Sequence, residues 1–81
     1  MQYVYILKSL KFPEQEYIGT TLSIEQRLDQ HNNGESKHTN KFRPWEMVWY
    51  CAFNNKQAAF DFEKYLKSHS GRAFTKKRLL K

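Results

Sequence analysis

Five side chains in this sequence are of the types that move protons, grip anions or hold a metal ion: Tyr5, Tyr17, Arg27, His31 and Glu63. Tyr5 sits in Tyr3-Val4-Tyr5-Ile6-Leu7 and Tyr17 in Glu16-Tyr17-Ile18-Gly19-Thr20-Thr21. Both runs are rich in β-branched and aromatic residues, and they are close enough to pair as antiparallel strands. Alternation sends Val4, Ile6 and Ile18 to one face, the expected core face. Tyr3, Tyr5, Leu7, Tyr17 and Gly19 go to the other, expected to be free of core. The two phenols then come within reach across the strands, and Gly19 leaves room for a ligand to approach the backbone. Taken alone, the pair reads more simply as a cross-strand aromatic contact that shields the sheet.

Arg27 and His31 are four residues apart on an expected helix, so they project side by side. The arginine offers a planar, permanently charged fork suited to phosphate oxygens, and the histidine could donate to a phosphate or shuttle a proton near neutral pH. An isolated pair of this kind is more often surface decoration. Glu63 borders the apolar face of a later helix, where a carboxylate can ligate magnesium together with waters and phosphate oxygens. Its competing role is an ion pair with Lys67, in the favourable order for a helix. Asp29 and Asp61 stand two positions from Arg27 and Glu63 and point elsewhere, so a two-metal centre is not expected. His31, His38 and His69 have no spacing that suggests zinc.

The elements that must position these groups follow from local signals. After the two strands, Ser23 can cap a helix with Gln26 at the third position, and Ile24 and Leu28, with Leu22 at the edge, form its apolar stripe. Asn32-Asn33-Gly34 should end it. Residues 35–44 are polar, basic and punctuated, and read as a loop. Glu46 to Phe53 reads as a third strand. Asn54 or Asn55 can cap a second helix with Ala59, Phe62 and Leu66 on one face, broken by Ser70-Gly71. Arg72 to Leu80 forms a short last helix, docked by Phe74 or Leu79. The expected order is ββαβαα, an α+β fold with a three-stranded sheet flanked by helices.

Composition bounds the rest. Eighty-one residues make one domain, 1–81, whose aromatic share of 16% helps a small core bury enough area. The single cysteine, Cys51, excludes an internal disulfide and a thiol metal cluster, and its apolar run makes it an inert, buried thiol. No apolar segment approaches the roughly 18 residues of a membrane span, and no signal peptide is recognised, so a cytoplasmic monomer is expected. The net charge is +6, and seven of the fourteen basic residues lie from Lys64 onward, with no acidic residue among them. Lys67, Arg72, Lys76, Lys77 and Arg78 there, with Lys37, Lys41 and Arg43 in mid-chain, form the footprint expected for a phosphate backbone. Without a strongly amphipathic apolar face, a membrane surface is a poorer partner than nucleic acid. Trp45 or Phe42 could stack on unpaired bases, although a satellite core is the favoured place for both.

The order and spacing of these motifs resemble a known family. Tyr3-Val4-Tyr5-Ile6-Leu7 followed by Tyr17-Ile18-Gly19-Thr20 resembles the paired motif that names the GIY-YIG nucleases. Arg27 with His31-Asn32-Asn33-Gly34 is similar to the family's helix motif, and Lys37-His38-Thr39 with Arg43-Pro44-Trp45-Glu46-Met47-Val48 to its lead into the third strand. Ala58 or Ala59 with Glu63, Leu66 and Lys67 is similar to the metal-ligand helix. The likeness runs from Tyr3 to about Arg78, and is nearest to small single-domain bacterial proteins related to the N-terminal nuclease domain of the bacterial excision-repair endonuclease.

The resemblance implies an endonuclease that hydrolyses DNA with one Mg2+ or Mn2+ ion, in repair or processing. In that role Tyr5 acts as general base or orients water, Tyr17 positions the scissile phosphate, and Arg27 stabilises its developing charge. Glu63 holds the ion, and His31 supports binding or catalysis. A tyrosine with a pKa of about 10 needs nearby positive charge to serve as a base at neutral pH. Tyr3 stands where the family name has glycine. The expected absence of an attached recognition domain opens a second reading, a nucleic-acid-binding module that cuts little. A third is an interaction domain working alongside a larger repair protein.

Overall fold

The computed structural model describes residues 1–80, so Lys81 of the basic C-terminus lies outside it. Three strands form one antiparallel sheet: β1 (Gln2–Ser9), β2 (Glu16–Thr21) and β3 (Trp45–Phe53), in the order β2-β1-β3. β1 is central, as its buried Val4, Tyr5, Ile6 and Leu7 require. The register pairs Tyr5 with Gly19 on one side and with Tyr50 on the other. The helices are α1 (Ile24–Asn32), α2 (Lys56–Lys67) and α3 (His69–Phe74), followed by a π turn over Thr75–Leu79. The α+β order expected from the sequence is the order observed.

Local chemistry sets the helix ends. Ser23 accepts from the Gln26 amide and Asn55 from the Ala58 amide, each satisfying a first-turn donor left free by the helix. At the end of α1, Gly34 adopts φ 79° and its amide donates to the His31 carbonyl, while the Glu35 amide donates to Gln30. This paired closure needs a left-handed residue, which glycine supplies without a Cβ penalty. One boundary differs from expectation. α2 ends at Ser68, whose side chain caps α3, and Gly71 lies inside α3 instead of breaking a helix. A Cβ on Gly71 would overlap the Tyr65 carbonyl, so glycine there lets α3 fold tightly back on α2.

Both faces of the sheet are covered. On one, Val4 and Ile6 pack with Ala59 and Leu66 of α2, joined by Ile18, Trp49, Phe62 and the C-terminal Phe74 and Leu79. On the other, Tyr5, Leu7 and Trp45 pack with Tyr17, Leu28, Phe42 and Met47. The expectation that Tyr5 and Leu7 lie on a core-free face is therefore corrected: α1 and residues 35–44 close over them. A register shift between Ile6 and Leu7, opposite Trp49 and Met47, makes this second core possible. Without the extra residue, strict alternation would leave Trp45 and Trp49 on the same face. With it, Trp49 joins the α2 side and Trp45 the Tyr5 side. Trp45 is 4% exposed, so it is a core residue and not a base-stacking surface.

Candidate active site

β1 and β2 deliver Tyr5 and Tyr17 to the same face, with ring centroids 6.2 Å apart. The glycine of the second motif is dictated by this arrangement. A Cβ on Gly19 would lie 2.6 Å from the Tyr5 hydroxyl and 3.0 Å from the Tyr17 ring. Tyr5 is 1% exposed and has little freedom to yield. Gly19→Ala is accordingly expected to cost about 1–3 kcal/mol through overpacking, measured by urea denaturation, and to push the Tyr5 hydroxyl off its partner.

That partner is His31. Its Nε2 lies 3.0 Å from the Tyr5 hydroxyl, and its Nδ1 lies 2.8 Å from Thr39 Oγ1. His31 and Thr39 are both buried, and the His31 ring sits 4.8 Å from that of Tyr17. The helix pair is thus split in role: His31 turns into the second core, while Arg27 stays at the rim. Arg27 is steadied by a 2.9 Å bond from Nη1 to Gln30 Oε1, near enough to the two phenols for its charge and theirs to act on each other.

The electrostatics follow from burial first. Burial pushes the Tyr5 phenol up to about 12; Arg27 pulls it down, but the negative charges of Tyr17 and Glu63 add to the rise. The expectation that positive charge would free a phenolate is only half met: Arg27 is in place, and burial outweighs it. Burial also lowers Arg27, yet the hydroxyls of Tyr5 and Tyr17 more than offset this and hold it above its usual value. His31 is lowered to about 4, by burial and then by the Arg27 charge.

The low value for His31 carries a pH signature. Because the folded pKa lies below the unfolded 6.5, the unfolded chain takes up the proton first. The stability held by the neutral ring is complete above about pH 6.5 and is lost as the pH falls toward 4, to a total of about 3 kcal/mol. Denaturation midpoints measured across that window should fall with acid, and His31→Gln should flatten the slope.

Glu63 approaches from the opposite layer, on α2, close enough for its charge to act on Tyr5. Lys67 holds one of its oxygens at 2.8 Å, so the ion pair weighed from the sequence does form. Glu63 remains partly open to solvent at 21% exposure. Among the described residues no three His, Cys, Asp or Glu side chains converge as a metal cage. A lone, accessible carboxylate fits an ion of the magnesium type, which fills its shell with waters and phosphate oxygens, and does not fit structural zinc.

The basic residues divide. Lys67 and Arg72 line a groove with Glu16, Tyr17 and Ile18, and Arg72 and Lys76 continue it opposite Pro13, Glu14, Gln15 and Glu16. These three cations therefore lead away from Tyr17. Lys37, Lys41, Lys77 and Arg78 are exposed elsewhere. Arg43 donates from Nη1 to the Asn32 carbonyl at 3.4 Å, which ties it to the C-terminus of α1. Two residues that the sequence did not single out for the site hold it together. Thr39 partners His31, and its own carbonyl accepts from Trp45 Nε1 at 2.9 Å. The Asn32 amide group brackets the Trp45 backbone, accepting from its amide at 2.6 Å and donating to its carbonyl at 3.1 Å. Asn32 looks like part of a turn signal in the sequence, and nothing local marks Thr39 for burial.

Comparisons with known proteins place the chain in a family. The family described as the GIY-YIG catalytic domain matches residues 1–78. Over 70 residues the chain is 43% identical to the structure-specific endonuclease subunit SLX1 of Debaryomyces hansenii, covering 78% of this chain and 20% of that protein. It is 41% identical over 68 residues to a UPF0213 protein of Clostridium perfringens, covering 83% of this chain and 71% of the other. The chain thus spans about a fifth of the fungal relative and most of the bacterial one. The solution structure of a UPF0213 protein from Bacillus halodurans, 31% identical, superposes with a TM-score of 0.58 over 100% of this chain and 86% of that one. With the family model matched from residue 1 to residue 78, the chain belongs to the GIY-YIG catalytic domains.

Proposed function

We propose that this chain is a single-metal endonuclease that hydrolyses phosphodiester bonds in DNA, with branched or otherwise irregular duplexes as its substrates. The observation that carries the reading is the convergence of Tyr5, Tyr17 and His31 on one face of the β1–β2 hairpin with Arg27 at its rim, and a Glu63 carboxylate on α2 close enough for its charge to act on Tyr5. The fungal relatives named structure-specific endonuclease subunits support a substrate selected by its structure, and support action together with a partner subunit.

Each residue has a task that its surroundings allow. Glu63 would hold one Mg2+ or Mn2+ ion, with Lys67 bonded to one of its oxygens at 2.8 Å. The chemistry supplied by that ion is polarisation of the phosphate and stabilisation of the leaving oxygen. Arg27, fixed by Gln30 at the rim of the site, meets the charge that develops on the phosphate. Tyr17, half-buried beside the basic groove, orients the phosphate. Tyr5 is a neutral phenol and works as a relay: it accepts the proton of the attacking water as its own passes to His31, 3.0 Å away. His31 is a weak base in its buried setting, so it holds the proton only through the step.

The groove of Lys67, Arg72 and Lys76 receives the phosphates next to the scissile one. Each phosphate contact made by a Lys or Arg steepens the salt dependence of binding. Changing Arg72 and Lys76 together to Ala is expected to make the slope of log K against log salt shallower by about 2, as read by fluorescence anisotropy at several salt concentrations. The same pair of changes at Lys77 and Arg78 should alter it less.

The reading is tested by presenting supercoiled, single-stranded and branched DNA in Mg2+ or Mn2+ and, in parallel, in EDTA. Cutting that favours the branched form and stops in EDTA is the expected result. Complete binding of every form with all strands intact would instead establish a binding module.

A further inference from the structure

We infer that Leu10 and Phe12, at the tip of the β1–β2 hairpin, form an apolar wedge that enters the gap in the base stack at a branch in DNA. The inference rests on the proposed action on branched duplexes, and it adds the contact that would single out the branch. Leu10 is 58% exposed and Phe12 42% exposed, on either side of the exposed Lys11. One apolar side chain in solvent is ordinary. Here two are held outward by a loop built to hold them.

The base of that loop is Ser9, which is buried. Its hydroxyl donates to the Phe42 carbonyl at 2.7 Å and accepts from the Phe12 amide at 3.0 Å. The Ser9 amide donates to the Gln15 carbonyl at 3.0 Å, and the Gln15 amide to the Phe12 carbonyl at 2.8 Å. The Leu10 amide donates to the Pro44 carbonyl at 3.0 Å. The Phe12 ring meets the Phe42 ring edge-on, with centroids 5.5 Å apart. A loop fixed in this way has little freedom left to lose when its side chains are covered, so more of their contact energy reaches binding.

The surroundings of the tip name its partner. The contacts to Phe42 and Pro44 join the hairpin to residues 37–44 as one surface. Residues 10–13 and 37–44 carry Lys11, Lys37, Lys41 and Arg43, all exposed, and no acidic residue. The carboxylates of the hairpin, Glu14 and Glu16, line the groove of Arg72 and Lys76 instead. An apolar pair ringed by cations matches bases flanked by phosphates. Phe and Leu are among the side chains that proteins insert between base steps, at the cost of unstacking the step. At a branch the stack is already interrupted, so most of that cost is absent. A membrane surface is the poorer match, because its binding scales with the apolar area buried and two side chains offer little. The wedge is also joined to the active site. Phe42 beneath it and Tyr17 pack against the same buried Tyr5, Leu7 and Trp45, which fixes the tip relative to Tyr17.

The experiment measures binding of the full chain without divalent metal, so that no cleavage intervenes. Fluorescence anisotropy compares a three-way branched duplex with a linear duplex closed by hairpin ends, for the wild type, Leu10→Ser and Phe12→Ser. A 2-aminopurine base at the branch brightens when it is unstacked. The wild type is expected to prefer the branched duplex and to brighten the probe. Phe12→Ser should weaken branched binding about tenfold, and Leu10→Ser should weaken it in the same sense. Both should lose the brightening, with affinity for the closed linear duplex unchanged. Equal losses on the two duplexes, or brightening retained in both variants, would overturn the inference. If Phe12→Ser does not fold, Leu10→Ser decides, because that side chain is mostly in solvent. Binding to phosphatidylserine vesicles that Leu10→Ser abolishes, with branched-DNA affinity unchanged, would assign the tip to a membrane and overturn the inference too. A wild type that binds no DNA defeats the proposed function together with the wedge. One that binds branched DNA without these differences defeats the wedge alone.

Discussion

Glu63→Gln is expected to lower metal-dependent cleavage by about 10³-fold or more while leaving DNA binding intact or slightly stronger. The size follows from what the carboxylate does. A bound ion supplies several kcal/mol of charge stabilisation to phosphoryl chemistry, and each 1.36 kcal/mol is about a tenfold change in rate. No cluster of three acidic, histidine or cysteine ligands among the described residues shares the task, so nothing compensates for the lost charge. Binding responds differently. The substitution removes a negative charge from the site and frees Lys67 from its 2.8 Å ion pair, leaving a cation in the groove that leads to Arg72. Glu63 and Lys67 form a partly exposed helix pair, which is worth only about 0.3–0.5 kcal/mol, so the fold should tolerate the change. Titration with Mn2+ followed by electron paramagnetic resonance should show a site in the wild type and none in Glu63→Gln.

Tyr5→Phe is the second large effect, with an expected loss of about 10²–10⁴-fold in single-turnover rate. The ring is kept, so its packing with Leu7 and Trp45 and its approach to Gly19 survive. What is removed is the oxygen that lies 3.0 Å from His31 Nε2. The same deletion leaves His31 Nε2 buried without its partner, which should cost about 1–3 kcal/mol of stability. Stability and rate separate the roles: His31→Gln also disturbs the buried pair but leaves the Tyr5 hydroxyl present. The pH dependence is a further check. With the Tyr5 phenol pushed up to about 12, no gain in rate should appear as the pH passes the ordinary tyrosine value of 10. A steep rise there would mean that a phenolate, and not the relay, does the work.

Much of this was legible in the sequence, and the limits have physical causes. Strand alternation correctly put Tyr5 and Tyr17 together, because a period of two is enforced by the pleat wherever pairing is regular. It failed to say that their face is buried. α1 shows only Ile24 and Leu28 as an apolar stripe, too little to announce a cover. The cover is supplied instead by His31, Thr39, Phe42 and Trp45, two of them polar and satisfied by each other. Such burial depends on partners distant in sequence, and no local periodicity records it. The extra residue in β3 that separates Trp45 from Trp49 is invisible for the same reason. Gly71 illustrates an ambiguity of composition: glycine breaks helices, but it also permits two backbones to touch, and only the contact with Tyr65 distinguishes the cases. The caps at Ser23 and Asn55 were readable because a cap is a local hydrogen bond.

The measurement that bears most directly on the account is single-turnover cleavage of a branched DNA duplex by the wild-type chain alone, with protein in excess so that all DNA is bound. Mg2+ is then added to one half of the sample and EDTA to the other. The account predicts strand scission in Mg2+, none in EDTA, and equal binding in both. Fully bound duplex that stays intact in Mg2+ and in Mn2+ would contradict it, leaving the Tyr5–His31–Thr39 network as part of a surface that holds nucleic acid without cutting it.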